Sequence, residues 1–289
     1  MTLVHDGDFP DPHVLRVGDR WYAYATETRG LDVQVMTSTD LRSWTHLGNA
    51  LDALPPWAAP GRTWSPSVLA TPAGYVLHYT THLRSAGRQC LSVAVADDPA
   101  GPFRDTSATP LVFQAGHGGS IDPDTVVDRD GTTYLVWKSD DNAVGARSSL
   151  WICRLSPDGL RLAGKTVRLL RHDLLWERPL VEAPSVTRVG DLFHLLYSAG
   201  RWETSGYGVG HAVSRRPTGP YVVTTRQGPW LSGSHGPGGQ SVVEGPGGRL
   251  FLAYHAWHGP VGYPEGGVRA LHIDPLELTA DGPRLLAWD

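Results

Sequence analysis

The sequence predicts an all-β protein built as a five-bladed β-propeller, and three observations carry that prediction. A short motif recurs five times: "DPHV" at Asp11, "SPSV" at Ser65, "DPDTV" at Asp122, "APSV" at Ala183 and, more loosely, "GQSV" at Gly239. The intervals are 54, 57, 61 and 56 residues, a period that marks radially repeated antiparallel units. No convincing amphipathic helix interrupts the pattern. A β-sandwich needs no such long period, and an eightfold β/α barrel would need eight helical patterns.

Each unit is justified element by element. The motif opens a first strand, and a turn with Gly and often Asp follows: "RVGD", "TPAG", "DRDG", "RVGD", "GPGG". An aromatic or aliphatic strand comes next: "RWYAYAT", "GYVLHYT", "TTYLVWKS", "DLFHLLYSA", "RLFLAYHAW". These pairs read as hairpins. Third strands follow in "VQVMTSTD", "CLSVAVADD", "LWICRLSPDG", "YGVGHAVS" and "VRALHIDPLEL". In the first four units a turn and a short edge strand are expected to complete the blade, as in "LRSWTHLG" and "PAGPFRDT". The first strand of each propeller blade lines the central channel, so the five motifs are expected to converge near one mouth.

Composition agrees with one catalytic domain spanning residues 1–289. Gly (34) and Pro (23) suit a chain of many turns, and Trp (11) with Tyr (10) offers flat surfaces on which sugar rings stack. The net charge of −4 leaves no basic footprint for nucleic acid. No run of 18 apolar residues suggests a membrane span. The opening "MTLVHDGDFPDP" has no basic-then-apolar leader, so the expected location is the cytoplasm, or outside the cell if a leader has been removed. Cys90 and Cys153 sit in apolar runs and read as buried free thiols, and no Cys/His spacing suits zinc.

Three carboxylates fall at or beside the motif position: Asp11, Asp122 and Glu182. Any single Asp-Pro reads more simply as a turn. Glu182, however, interrupts the apolar run "PLVEAPSV", where an unpaired carboxylate would be costly. Three carboxylates in register across a repeat point to glycoside hydrolysis. One carboxylic acid protonates the leaving oxygen, a second carboxylate activates water or attacks the sugar, and a third can raise the acid's proton affinity.

The motifs "FPDPHV", "SIDPDTVVDRDGTTYLVWKSDD" and "VEAPSV", with "GPGGQSVV" and "YHAW", resemble glycoside hydrolase family 43, and the resemblance covers nearly the whole chain. The stretch "WERPLVEAPSVTRVGDLFHLLYSAG" with "YGVGHAVS" resembles most the branch of arabinanases and exo-acting α-L-arabinofuranosidases. That resemblance implies a five-bladed, inverting enzyme acting on arabinose-containing oligo- or polysaccharide. It implies Asp11 as general base, Glu182 as general acid and Asp122 as the residue that tunes the acid.

It further implies Trp64 as a sugar-stacking residue and Arg269 as a side chain reaching the sugar or the acid. His255 would lie near the channel axis, binding substrate or standing close to a structural calcium ion. No cofactor is needed for the chemistry. The simpler readings are blade packing for Trp64, a strand-face ion pair for Arg269 and a satisfied core histidine for His255. The chain departs from the family at Gly239-Gln240, where many members have His-Asn, so no side chain at 239 reaches the axis. No β-sandwich module of the xylosidase branch follows "RLLAWD". β-D-Xylosidase action on the same fold, or a non-catalytic sugar-binding propeller, are the alternatives. A WD-type scaffold lacks its Gly-His and Trp-Asp signatures here. The segments "NALDALPPWAAPGRT" and "GRWETSGYG" are expected to wall the cleft.

Overall fold

The structure, a computed structural model, describes residues 1–28 and 30–288. It forms five antiparallel sheets in sequence order, each one blade of a propeller. The inner strands are His13–Val17, Ala58–Thr71, Ser120–Val127, Val181–Val189 and Gly238–Glu244. The five motifs thus lie at or just before the strands nearest the axis, as the repeat predicts.

The second and third strands are apolar on both faces because each blade is covered on both sides. Tyr24 packs toward blade 2 while its neighbours Ala23 and Ala25 pack toward blade 5. Val136 packs toward blade 4 while Leu135 and Trp137 pack toward blade 2. Five apolar clusters result, one in each gap between neighbouring blades. Cys90 and Cys153 are buried and unpaired, as expected from their apolar runs.

Two details differ from the sequence reading. Blade 2 has three strands, and "PAGPFRDT" contributes only isolated bridges, Arg104 with Val95 and Phe103 with Leu51. There the chain instead lengthens the inner strand to Ala58–Thr71 and the next two to Gly74–Leu83 and Arg88–Ala96. Blade 5 has two short strands on its outer edge. Leu3–His5 and Gly282–Leu285 both pair with Val268–Thr279, so the start of the chain completes the last blade.

The motif residues share an uncommon backbone conformation. Asp11, Ser65, Asp122, Ala183 and Gly239 have φ of 53°, 46°, 56°, 45° and 59°. Four are not glycine, and a left-handed L-residue costs about 1–2 kcal/mol. The strand pairing shifts register at these positions in blades 2 to 5. The bulge turns the motif side chain toward one mouth, and the residue two further on lines the channel below.

A ring of inter-blade hydrogen bonds holds the five bulges. Each motif amide donates to a side chain of the preceding blade: Asp11 to His255 Nδ1 (3.1 Å), Ser65 to Thr26 Oγ1 (2.9 Å), Asp122 to Thr80 Oγ1 (3.0 Å), Ala183 to Asp122 Oδ2 (2.9 Å) and Gly239 to Ser198 Oγ (2.9 Å). Below the ring, Ser67 donates to Asp124 Oδ1 at 3.0 Å, and His13 stands 3.6 Å from the same oxygen.

Two buried histidines make stability depend on pH. His78 is fully buried and its Nε2–H donates to the Gly159 carbonyl at 2.9 Å. Burial pulls its pKa from 6.5 down to about 4. His211 is also fully buried, between His194 and Thr224, and burial pulls its pKa down to about 3. The unfolded chain takes up these protons near pH 6.5. The stabilisation from each neutral ring is therefore full above that pH and is lost as pH falls toward the folded value, at about 1.4 kcal/mol per pH unit. Asp122 and Asp124, whose pKa values burial raises, act in the opposite sense. The contribution of one ring is isolated by His78→Gln, whose amide can keep the bond to Gly159. The plot of unfolding free energy against pH between 6 and 4.5 should become shallower by about one proton. An unchanged slope would show that His78 is not held neutral.

Candidate active site

The mouth of the channel on the motif side opens into a pocket of about 400 Å³. That is within the usual range for small-ligand sites. Asp11, Asp122 and Glu182 all line it, with Trp64 and Arg269. The structure therefore brings together five of the six residues singled out from the sequence.

Asp11 is held on several sides. Its Oδ2 accepts from Thr26 Oγ1 at 2.8 Å and stands 3.5 Å from Arg269 Nη1. Arg269 lies against this carboxylate, the expected base, and so pairs with the base rather than with the acid. Its Nε–H donates to Tyr263 Oη at 3.0 Å, and Tyr263 Oη–H donates in turn to Asp8. The guanidinium covers the Trp202 ring at 4.7 Å, a cation–π geometry that fixes its plane.

Glu182 is 8% exposed, and both its oxygens are engaged. Tyr207 Oη–H donates to Oε1 at 2.8 Å, and Lys138 Nζ lies 3.2 Å from Oε2. Lys138 is 1% exposed and also lies 3.3 Å from Asp140 Oδ1. Burial alone would lower its pKa. The charges of Glu182, Asp140 and Asp122 outweigh burial and hold it above the ordinary lysine value, so the amine is an ammonium.

Among the described residues no cation forms an ion pair with Asp122. Burial and then the Glu182 charge push its carboxyl up to about 8, with Asp11 adding to the rise and Lys138 working against it.

His255 does not line the pocket. It is fully buried beneath Asp11, with its ring parallel to Tyr207 at 6.0 Å. Its Nδ1 lone pair accepts the Asp11 amide, which leaves Nε2 as a buried N–H without a partner. A protonated Nε2 is not a metal ligand. Calcium takes six to eight oxygen ligands, and Gly239 supplies no side chain beside His255. Among the described residues no group of three or more His, Cys, Asp or Glu side chains gathers to hold a metal. The residues present do not fit a protein-built calcium site at His255.

The departure at Gly239 has a steric reason. A Cβ there would lie 2.5 Å from the His255 ring and 2.6 Å from Asp11 Oδ1, at a φ of +59°. Gln240 bridges blades, donating to the Ala183 carbonyl at 2.7 Å and accepting from Ser198 Oγ at 2.8 Å.

Asp8, Thr26, Glu27, Ile121 and Tyr263 also line the pocket, and none of them was singled out from the sequence. Of the two segments expected to wall the cleft, "GRWETSGYG" does so through Trp202 and Tyr207. "NALDALPPWAAPGRT" does not, because its second half is drawn into the long inner strand of blade 2. Lys138 carried a readable signal: a lysine inside the apolar run "YLVWKS" must find buried counter-charges.

A propeller whose mouth gathers three carboxyl groups between tryptophans defines a class, the glycoside hydrolases. The chain belongs to glycosyl hydrolases family 43, whose family model matches residues 3–283. It is 27% identical to the putative beta-xylosidase of Xylanibacter ruminicola over 286 residues, which are 94% of this chain and 48% of that relative. It is 25% identical to the extracellular exo-alpha-(1->5)-L-arabinofuranosidase of Cellvibrio japonicus (strain Ueda107), covering 87% of this chain and 73% of the relative. The chain thus spans about half the length of the first of these relatives. A solved thermostable family-43 glycoside hydrolase superposes with a TM-score of 0.87 at 27% identity, covering 97% of this chain and 93% of that one. The endo-arabinase from Bacteroides thetaiotaomicron VPI-5482 shares the fold with a TM-score of 0.79 at 23% identity, covering 98% and 99% of the two chains.

Gly239→Ala tests how tightly Asp11 is seated. The added methyl group must displace Asp11 or His255, and a displacement of 1 Å at a reacting group can cost about 10²-fold. A fall in kcat/KM of about that size is expected, with the far-ultraviolet circular dichroism of the propeller retained. Near wild-type activity would show that Asp11 needs no such seat.

Proposed function

We propose that the chain hydrolyses α-L-arabinofuranosyl linkages in arabinan or arabino-oligosaccharides, with inversion at the anomeric carbon. The observation that carries this reading is the convergence of Asp11, Asp122 and Glu182, from three blades, on one pocket walled by Trp64 and Trp202. In the proposed step Asp11 takes a proton from water as its oxygen attacks the anomeric carbon. The bond to the leaving oxygen breaks as that oxygen takes a proton from Glu182. Asp122, whose carboxyl burial and the Glu182 charge push up to about 8, acts through Glu182. These steps are carried by the protein's own side chains.

The arabinose reading is supported by the resemblance of the blade 4 stretch and by the name of the Cellvibrio relative. β-D-Xyloside hydrolysis is the second reading, favoured by the name of the Xylanibacter relative. A panel of nitrophenyl pentosides with linear α-1,5-arabino-oligosaccharides separates them. The α-L-arabinofuranoside should be cleaved with the highest kcat/KM, and a preference for the β-D-xyloside would overturn the arabinose assignment.

The carboxyl roles are separable too. Asp11→Asn, Asp122→Asn and Glu182→Gln should each keep the fold and lose about 10²–10⁴-fold in activity on an unactivated substrate. Loss of the acid hurts most when the leaving group is poor. Glu182→Ala should therefore retain appreciable activity on an aryl glycoside with a low-pKa phenol and lose it on the disaccharide, whereas Asp11→Ala should lose both. Equal losses on both substrates for Glu182→Ala, with chemistry rate-limiting, would remove Glu182 from the acid role. A proton NMR time course should show the inverted anomer forming first, and a retained anomer would contradict the single-displacement step.

A further inference from the structure

The second strand of each blade has one residue opposite the position just before the motif. In blades 2 to 5 the pairing identifies these as Thr80 opposite Trp64, Lys138 close to Ile121, Ser198 opposite Glu182 and His255 opposite Gly238. In blade 1 it is Thr26, whose amide donates to the Pro10 carbonyl. Four of the five act alike, since Thr26, Thr80, Ser198 and His255 each accept the motif amide of the next blade. Lys138 is the exception, because an ammonium has no acceptor. In its place the Asp122 carboxylate takes the Ala183 amide. The repeat therefore gives up a standard acceptor at one register position and puts a buried cation there.

That cation reaches across the blade boundary to Glu182. A buried ammonium is costly unless paired, and the fold would be served as well by a threonine at this position. We propose that Lys138 is a positioning residue for the reaction: its ammonium, 3.2 Å from Glu182 Oε2, holds that carboxyl toward the leaving oxygen and governs the basic limb of the pH–rate profile. This rests on the reading of Glu182 as the acid. Lys138 also works against the rise of the Asp122 carboxyl, so without the ammonium that carboxyl would hold its proton into a more alkaline range.

The charged and titratable groups around Asp122 and Glu182 are few. Asp122 and Lys138 come from blade 3, with Asp140 on the far side of the amine. Tyr207 comes from blade 4 and donates to Glu182. Across the mouth stand Asp11, with Arg269 against it and His255 beneath. Arg269 and His255 address Asp11, which leaves Lys138, among the described residues, as the cation placed on Glu182.

The test is the pH profile of kcat/KM on the unactivated disaccharide that the wild-type enzyme cleaves, and on an aryl glycoside of the same sugar. The basic limb reports loss of the proton needed by the leaving group. Removing a cation makes that loss harder, so Lys138→Met should move the limb up by about one to two pH units. It should also lower kcat/KM on the disaccharide at pH 6 at least tenfold, and less on the aryl substrate.

Asp140→Asn is a nearly isosteric change outside the pocket lining. It frees Lys138 of its competing carboxylate and should move the limb in the opposite direction. A limb that stays within 0.2–0.3 pH units of wild type in every variant that folds overturns the proposal, and Asp140→Asn alone decides if Lys138→Met does not fold. Glu182→Gln is run alongside. If it keeps activity on the disaccharide, the acid assignment itself falls. If it is inactive while the limb does not move in the other variants, only the role of Lys138 falls.

Discussion

The rest of the molecule depends on the ring of amide hydrogen bonds around the channel axis. Each bond joins one blade to the next at the position where the inner strand turns left-handed. The turn is unfavourable for an L-residue, by about 1–2 kcal/mol. It also breaks the strand pairing locally, which frees the motif amide from the ladder. A buried amide must be paired, so the fold is closed by the bonds that the distortion makes available. The same distortion aims Asp11 and Asp122 at the pocket. Support for the site and closure of the propeller are therefore one set of contacts.

The chemistry of the site follows from how cations are distributed over its carboxyl groups. Asp11 has Arg269, itself fixed by Tyr263, Asp8 and Trp202. Glu182 has Lys138 and the hydroxyl of Tyr207. Asp122 has neither, accepts a backbone amide, and is the carboxyl whose proton affinity burial raises most plainly. Three residues of one chemical type thus sit in three electrostatic settings a few side chains apart. Division of labour among them needs no difference in sequence chemistry, only in what the neighbouring blades extend toward each.

Much of this was legible in the chain because the period exposes it. Five motifs in register located the inner strands, and Glu182 stood out as a charge in an apolar run. The left-handed turns were not legible at Ser65 and Ala183, since neither is a residue that favours such a conformation. Asp8 and Tyr263 were out of reach for a different reason. They come from connecting segments, whose approach to the mouth is set by packing between blades and not by any local pattern. The long strand Ala58–Thr71 misled for the same reason: "NALDALPPWAAPGRT" has the Pro and Gly content of a loop. Its later part nevertheless finds pairing partners in an unusually tall hairpin.

The clasp between Leu3–His5 and the last blade carries a consequence for how the molecule comes into being. It joins segments more than 260 residues apart in the chain. Closing a loop of that size costs about 5 kcal/mol in chain entropy, by the usual logarithmic scaling. The apolar cluster between blades 1 and 5 forms at the same closure and helps to offset it. The segment that makes the clasp runs on within a few residues to Asp8 and Asp11, and the residues that seat Asp11, His255 and Arg269, belong to blade 5. During synthesis, then, Asp11, the first of the three pocket carboxylates Asp11, Asp122 and Glu182 to be made, is among the last to be placed. Four blades can stack as they emerge, but Asp11 has no seat in the pocket until the fifth is finished and the circle is shut.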